Sequence, residues 1–333
     1  MLRVMKLLLA GVLLWSIYWF AAGWGLRSGI SNWFTEQQRQ GWQAEYSSLS
    51  SGGYPSTHSV RINQPTLADP GTGTAWRADW LEIESPAIWP GRRTLRFAPS
   101  PQRLSYFDKT VVIAAKDLQA QMLMAPGLAL ELEELALTST AWEIKDGDRT
   151  VMGADSLQLA MTQSDSPERY QLLGTATGFS PGANLRELLA ATDALPDSFD
   201  TLALDMEVTF DTAWDRTALE LRRPQPRQIS LKLADAHWGE LRLKAAGDLD
   251  INEAGIVTGK ISLKVENWRK MLVMAEDAGV LPASARDGIE RVMGLFAGLG
   301  GNPQDLDTQL NFRNGHIALG PIPLGPAPRF ILR

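Results

Sequence analysis

The sequence predicts a mainly β protein, α+β overall: a single N-terminal transmembrane helix followed by an extended, curved antiparallel β-sheet with a few packed helices. Three observations predict it. Leu7 to Leu26, LLLAGVLLWSIYWFAAGWGL, is one apolar run without a charge. Beyond Ser47 the hydrophobic pattern has period two in segment after segment. Asp-Gly and Asn-Gly pairs sit between such segments, as hairpins require.

At about 1.5 Å per helical residue the apolar run spans about 30 Å, the thickness of a bilayer's hydrocarbon core. Arg3 and Lys6 precede it and no acid occurs before Glu36, so the positive-inside rule leaves the N-terminus in the cytoplasm and the rest outside. Trp15, Tyr18, Trp19 and Trp24 gather toward the far end as interfacial aromatics. A cleaved signal peptide would have an apolar region of about 7–15 residues ending at small residues. Here the run is longer and its small residues sit among Trp and Phe, which favours an uncleaved anchor. Residues 1–27 are therefore read as cytoplasmic tip and anchor. Residues 28–46, with Trp33, Phe34 and Trp42 among polar residues, are read as a juxtamembrane helix.

Residues 47–180 read as an N-terminal antiparallel β region and 181–333 as a C-terminal β region with helices near 184–195 and 267–299. Leu202, Leu204, Met206, Val208 and Phe210 alternate with Thr201, Ala203, Asp205, Glu207 and Thr209. Val257, Gly259, Ile261, Leu263 and Val265 alternate likewise with polar neighbours. One apolar and one polar face is the pattern of antiparallel sheets buried on a single side. Lys145-Asp146-Gly147-Asp148 and Arg313-Asn314-Gly315-His316 supply hairpin turns, and Asn252-Glu253-Ala254-Gly255 a looser one. Helical periodicity is confined to Asn184–Leu195, opened by a capping Asn with Glu187 three residues on, and to the segments around Trp268–Met271–Leu272 and Ile289–Val292–Met293. Pro321, Pro323, Pro326 and Pro328 keep the tail extended along an edge. Ala78-Asp79-Trp80-Leu81-Glu82-Ile83 resembles Ala154-Asp155-Ser156-Leu157-Gln158-Leu159. Duplication and the common grammar of strands would both give such a pair.

The net charge is −6; residues 1–27 carry three positive side chains and no acid, so the remainder carries −9. That balance argues against nucleic acid and against adhesion to anionic headgroups by bulk charge. No cysteine is present, which removes thiol catalysis and Cys-based zinc sites. The bacterial periplasm is the economical compartment. His58, His237 and His316 lie far apart, none with a second ligand at metal spacing. Asp248-Leu249-Asp250-Ile251-Asn252 starts like a calcium loop, but Glu253 and Gly259 stand where that loop needs Gly and Glu. Neither a nucleophile elbow nor a phosphate loop occurs, and Glu82/Glu84 and Glu131/Glu133 fall on polar strand faces. No cofactor, no metal site and no enzyme is expected. Trp76, Trp80, Trp89, Trp142, Trp238 and Trp268 are the candidate lipid or interface residues, since Trp suits surfaces apolar at one end and wet at the other.

Gly53-Tyr54-Pro55, Pro65-Thr66-Leu67, Trp76-Arg77-Ala78-Asp79 and Ala87-Ile88-Trp89-Pro90, in that order behind the anchor, resemble the bacterial family known as domain of unknown function 2125. Asn314-Gly315-His316-Ile317-Ala318-Leu319-Gly320-Pro321 resembles that family's end. The resemblance covers nearly the whole chain and implies a single-pass inner-membrane protein of alphaproteobacteria, with no reaction assigned. Gly247-Asp248-Leu249-Asp250 through Gly255 and Gly259 to Leu263 resembles strand-turn-strand units of the AsmA-like group, whose curved sheets are associated with lipid transfer and outer-membrane upkeep. Two partner classes follow: a phospholipid held in an apolar sheet groove, or another envelope protein, the chain then serving as a periplasmic scaffold or assembly factor.

Overall fold

The computed structural model describes residues 1–89, 91–181, 198–220, 222–277, 282–299, 303–320 and 322–332. The expected helix over 184–195 lies outside these residues. Helix α1 (Leu2–Arg39) is continuous through the apolar run and beyond it. It stops short of the expected 46, because Gly41 takes φ +92° and turns the chain into strand β1 (Gln43–Glu45).

From there the chain alternates between two antiparallel sheets. β1 belongs to a seven-stranded sheet, and β2 (Ser48–Gly52) and β3 (Thr57–Asn63) to a fifteen-stranded one. β4 (Thr66–Asp69) and β5 (Thr74–Arg77) return to the small sheet; β6 (Trp80–Pro86) and β7 (Arg92–Phe97) join the large one. The pattern repeats with β8 (Gln102–Tyr106) and β9 (Lys109–Ala115) in the small sheet, then β10 (Gln119–Met124) and β11 (Leu132–Ser139) in the large. β12 (Trp142–Asp146) and β13 (Arg149–Ala154) end the small sheet.

The rest stays in the large sheet: β14 (Ser156–Gln163), β15 (Arg169–Phe179) and β16 (Phe199–Phe210), then a single turn of helix, α2 (Thr217–Glu220). β17 (Pro226–Trp238), β18 (Leu241–Ile251) and β19 (Val257–Glu266) follow as a meander. Helices α3 (Trp268–Asp277) and α4 (Ala283–Leu299) intervene before β20 (Asp305–Arg313), β21 (His316–Leu319) and β22 (Ile322–Pro326). β15 and β16 pair along their length, from Arg169–Thr209 to Phe179–Phe199, so residues on both sides of 180 share one sheet. At about 4.8 Å per strand the large sheet is roughly 67 Å across.

The two sheets meet along a crease, where the chain crosses from one sheet to the other between successive early strands. Backbone hydrogen bonds carry the ladder across it: Gln64 N–H to Asp79 O (2.7 Å), Ala98 N–H to Trp80 O (3.1 Å) and Lys116 N–H to Ala141 O (2.8 Å). Small residues fill its inside, with Ala78, Ala98, Ala115 and Ala154 all buried. The two similar segments at Ala78 and Ala154 are both crossings from the small sheet into the large. A third crossing falls between them at Asp117, so Asp79, Asp117 and Asp155 recur 38 residues apart. Asp79 accepts from the Ser100 hydroxyl at 2.5 Å and Asp117 from that of Thr140 at 3.2 Å, bracing the bend. Each 38-residue unit contributes two strands to each sheet.

Gly247 and Gly259 hold β18 and β19 close. An added Cβ at Gly259 (φ +144°) would stand 2.2 Å from Asp248 O, and one at Gly247 2.1 Å from Lys260 O. Gly259→Ala is therefore expected to destabilise the protein by about 2 kcal/mol or more, through strain and backbone displacement. Thermal unfolding of the full chain in mild detergent measures it, with Gly315→Ala, where an added Cβ meets open space, separating the cost of positive φ from that of the clash.

Candidate functional site

Only the first third of α1 stands clear of the sheets. Residues 2–14 are exposed throughout. From Trp15 on, the helix meets the turns and strands beside it: Trp15 Nε1 donates to Pro55 O (3.2 Å), Tyr18 Oη to Ala87 O (2.6 Å) and Trp19 Nε1 to Thr57 O (2.8 Å). Farther along, Leu26, Ile30 and Phe34 pack with Val60, Ile62, Leu49 and Ala44. Residues 7–26 thus do two things: the first half is bare, and one side of the second half, with Trp19, Ala22, Gly23 and Leu26, faces the sheet while Ile17, Phe20 and Trp24 stay exposed. Hydropathy cannot separate these roles, because lipid and a sheet's apolar face ask for the same side chains.

His58 is buried in this contact. Its ring stacks on Trp19 with centroids 5.0 Å apart, and neither ring nitrogen has a hydrogen-bond partner. Burial pushes its pKa below the ordinary 6.5.

The apolar residues of the large sheet share one face and match strand to strand. Val60 pairs with Ile83, Ile83 with Leu95, Leu95 with Ala120, Ala120 with Leu137, and Leu137 with Leu159. The row continues through Gly174, Leu204, Ala234, Ala245 and Leu263. A second row, nearer the turns beside α1, runs Arg93, Met122, Leu135, Met161, Leu172, Met206, Leu231. Arg93 is its one charge. Burial lowers the Arg93 pKa from its ordinary value, and among the described residues its guanidinium has no acid partner. The other face is polar and laced by cross-strand pairs such as Arg61–Glu82 (2.6 Å) and Arg96–Glu84.

α1 covers the apolar face at β2 and β3. At the opposite end α3 and α4 cover it, with Trp268, Leu272 and Met293 packed on Val265 and Leu306. Between these covers the connection from β16 to β17 lies on part of the face: Trp214 packs with buried Tyr170, Val208 and Phe210 beside Met161, Leu172 and Met206, and its carbonyl accepts from Leu132 N–H (2.7 Å). Leu249, Ile251, Val257 and Ile261 form a second buried cluster, while the stretch around Leu159, 42% exposed, stays open. A shallow hollow of about 560 Å³, edged by Leu233, Lys244, Ser262, Lys264 and Asp307, lies on the opposite, polar face. It is distinct from the apolar face.

The chain belongs to the bacterial family described as uncharacterized protein conserved in bacteria, domain of unknown function 2125. The family's sequence model matches residues 19–328, beginning at the residue where α1 becomes buried against β3. No curated protein matches the chain.

Within this member of the family the six tryptophans separate. Trp76 and Trp142 stand on the apolar face of the small sheet; Trp76 donates to Gln102 Oε1 (3.0 Å) and meets Phe97 of the large sheet across the crease at 6.5 Å. A chain of ring contacts then runs Trp142–Phe179–Phe199–Trp238, closing to 4.4 Å at its last pair. Trp89 is exposed on the β6–β7 turn. Trp80 lies on the polar face beneath the Arg61 guanidinium, 4.3 Å from its ring. Trp268, the first residue of α3, is sealed among Val265, Leu306 and Ala297 of α4, its Nε1 donating to Pro303 O at 3.2 Å. In the sequence His58 is weighed only as a metal ligand, and Arg93 is not singled out. Their signal is positional, a polar residue at an inward point of an alternating strand, and it emerges once the strand register is known. Among the described residues no three His, Asp or Glu side chains gather at metal-binding distance.

Because folding depresses the His58 pKa, its contribution is complete above the unfolded value of about 6.5 and is lost as pH falls below it. Lowering pH from 7.5 to 5 is expected to reduce the thermal midpoint of the full chain in mild detergent. His58→Phe, which keeps the stacking and removes the titration, is expected to shrink that drop measurably.

Proposed function

We propose that this protein is a single-pass inner-membrane protein of the bacterial periplasmic side, non-enzymatic, whose apolar sheet face holds or passes lipid in envelope maintenance. The observation that carries the reading is the half-open apolar face between two helical covers. Exposed apolar surface on a sheet face, here around Leu159, marks ligand, membrane or protein contacts when it exceeds what monomeric soluble proteins usually leave. The basic N-terminus supports a cytoplasmic tip, and the strand–turn–strand unit from Gly247 to Leu263, which forms β18 and β19, supports the AsmA-like comparison.

A second reading, scaffold or assembly protein, is favoured by one feature. Tyr106 and Phe107 are exposed together on the β8–β9 turn of the small sheet, on the far side of the crease from the turns that contact α1. Exposed paired aromatics are common anchors of protein contacts.

In cells, a photo-reactive residue at Leu159, on the apolar face, is expected to crosslink to phospholipid, whereas one at Leu173, exposed on the opposite face, is not. Mass spectrometry of the adducts decides. Protein adducts from Leu159 together with none to lipid would replace the lipid reading by the scaffold.

A further inference from the structure

We propose that Arg93 binds the phosphate of a phospholipid at the membrane-side mouth of the apolar face, and that the turns around it dip into the outer leaflet, so that lipid enters from the bilayer itself. This rests on the lipid reading above and names its headgroup contact and its route.

The depth follows from α1. Thirteen residues, 2–14, stand clear of the rest of the protein and span about 20 Å, whereas the hydrocarbon core is about 30 Å thick. The turns that touch α1 at Trp15–Trp19 therefore lie below the outer headgroups when the helix spans. Their composition fits. Tyr54 on the β2–β3 turn, Ile88 (75% exposed) and Trp89 (63%) on the β6–β7 turn, and Leu128 (91%) on the β10–β11 turn all project from this end of the sheet. The next turn on the same edge, between β14 and β15, reads Ser164-Asp165-Ser166-Pro167-Glu168 and is polar. Among the described turns, the apolar character is strongest nearest the helix, and farther along the same end it returns only in the tail, where Phe330 and Ile331 lie on the β18–β19 turn at Gly255.

Arg93 sits at the second position of β7, just above these turns, on the inward face. Its neighbours Arg61 and Arg96 point to the other face and are neutralised by Glu82 and Glu84, while Arg93 is left against Met122 without an acid. An unpaired guanidinium in apolar surroundings is costly, and a phosphate offers it two parallel charge-assisted hydrogen bonds. Met122 and Leu135, in register beside it, would then lie along the acyl chains, up to Met161, which packs against the Tyr170, Val208 and Phe210 cluster and closes the row there, and methionine suits chains of varied shape.

Two measurements on the full chain test this. The sequence has no cysteine, so Ile88→Cys, Leu128→Cys and Ser164→Cys each take a single nitroxide label in nanodiscs of phosphatidylethanolamine and phosphatidylglycerol. Labels at 88 and 128 are expected to be reached by oxygen and shielded from a water-soluble nickel chelate, with 164 the reverse. Equal chelate access at all three overturns the immersion. In maltoside micelles, Arg93→Gln is expected to lower phosphatidylglycerol binding about tenfold or more, Arg93→Lys to retain most of it, and both to bind diacylglycerol like the parent chain. Equal phosphatidylglycerol binding by parent and Arg93→Gln overturns the role of Arg93 and leaves the lipid reading standing. Failure of the parent to bind either lipid removes the lipid reading itself. Binding of glycerol 3-phosphate as tight as that of phosphatidylglycerol would make the ligand a soluble phosphoester and overturn the route.

Discussion

The seam between α1 and β3 sets the orientation of everything else. Trp19 and Phe34 on the helix, and His58, Val60 and Ile62 on the strand, bury one another over several helical turns. The backbone oxygens of Pro55, Thr57 and Ala87 each take a hydrogen bond from a helix side chain. A helix held only by a flexible linker would leave the sheet free to tumble above a membrane. Held along its length, it fixes which edge of the sheet lies beside the apolar helix and which way the strands run. It also covers the β2 end of the large sheet, where an exposed strand would invite pairing with other chains.

From that fixed edge the sheet grows by antiparallel pairing alone, and its one-sided hydrophobicity decides the register. Slipping any strand by one residue would turn its apolar set toward water, so a row such as Val60–Ile83–Leu95–Ala120 is self-correcting. The crease lets the early chain alternate between two sheets, and buried alanines at the bends permit the sharp change of direction. At the other end Pro323 and Pro326 in β22 withhold donors from any further strand.

Much of this was legible in the sequence where burial is one-sided and the strand long. The alternations at 202–210 and 257–265 became β16 and β19, and Asp-Gly and Asn-Gly became turns. The crease was not legible, because the strands beside it hold only three to eight residues and a bend leaves no periodicity of its own. Its trace was the Ala-Asp pair at 78–79 and 154–155, which alone cannot be told from ordinary strand grammar. The candidate site was legible in its kind, an apolar sheet face with tryptophan near it, and less so in its members. Trp80 and Trp76 are four residues apart, yet one lies under Arg61 on the polar face and the other on the apolar side of the other sheet. Which face a strand residue takes after a bend depends on partners far away in the chain, and so does the burial of His58.

The 38-residue spacing of Asp79, Asp117 and Asp155 carries a consequence for size. Each unit adds a matched pair of strands to both sheets, close to 10 Å of width, without altering either covered end. The architecture therefore has a natural quantum of growth, like a folding screen lengthened panel by panel. Span can change while the seam with α1 and the proline-blocked margin stay as they are.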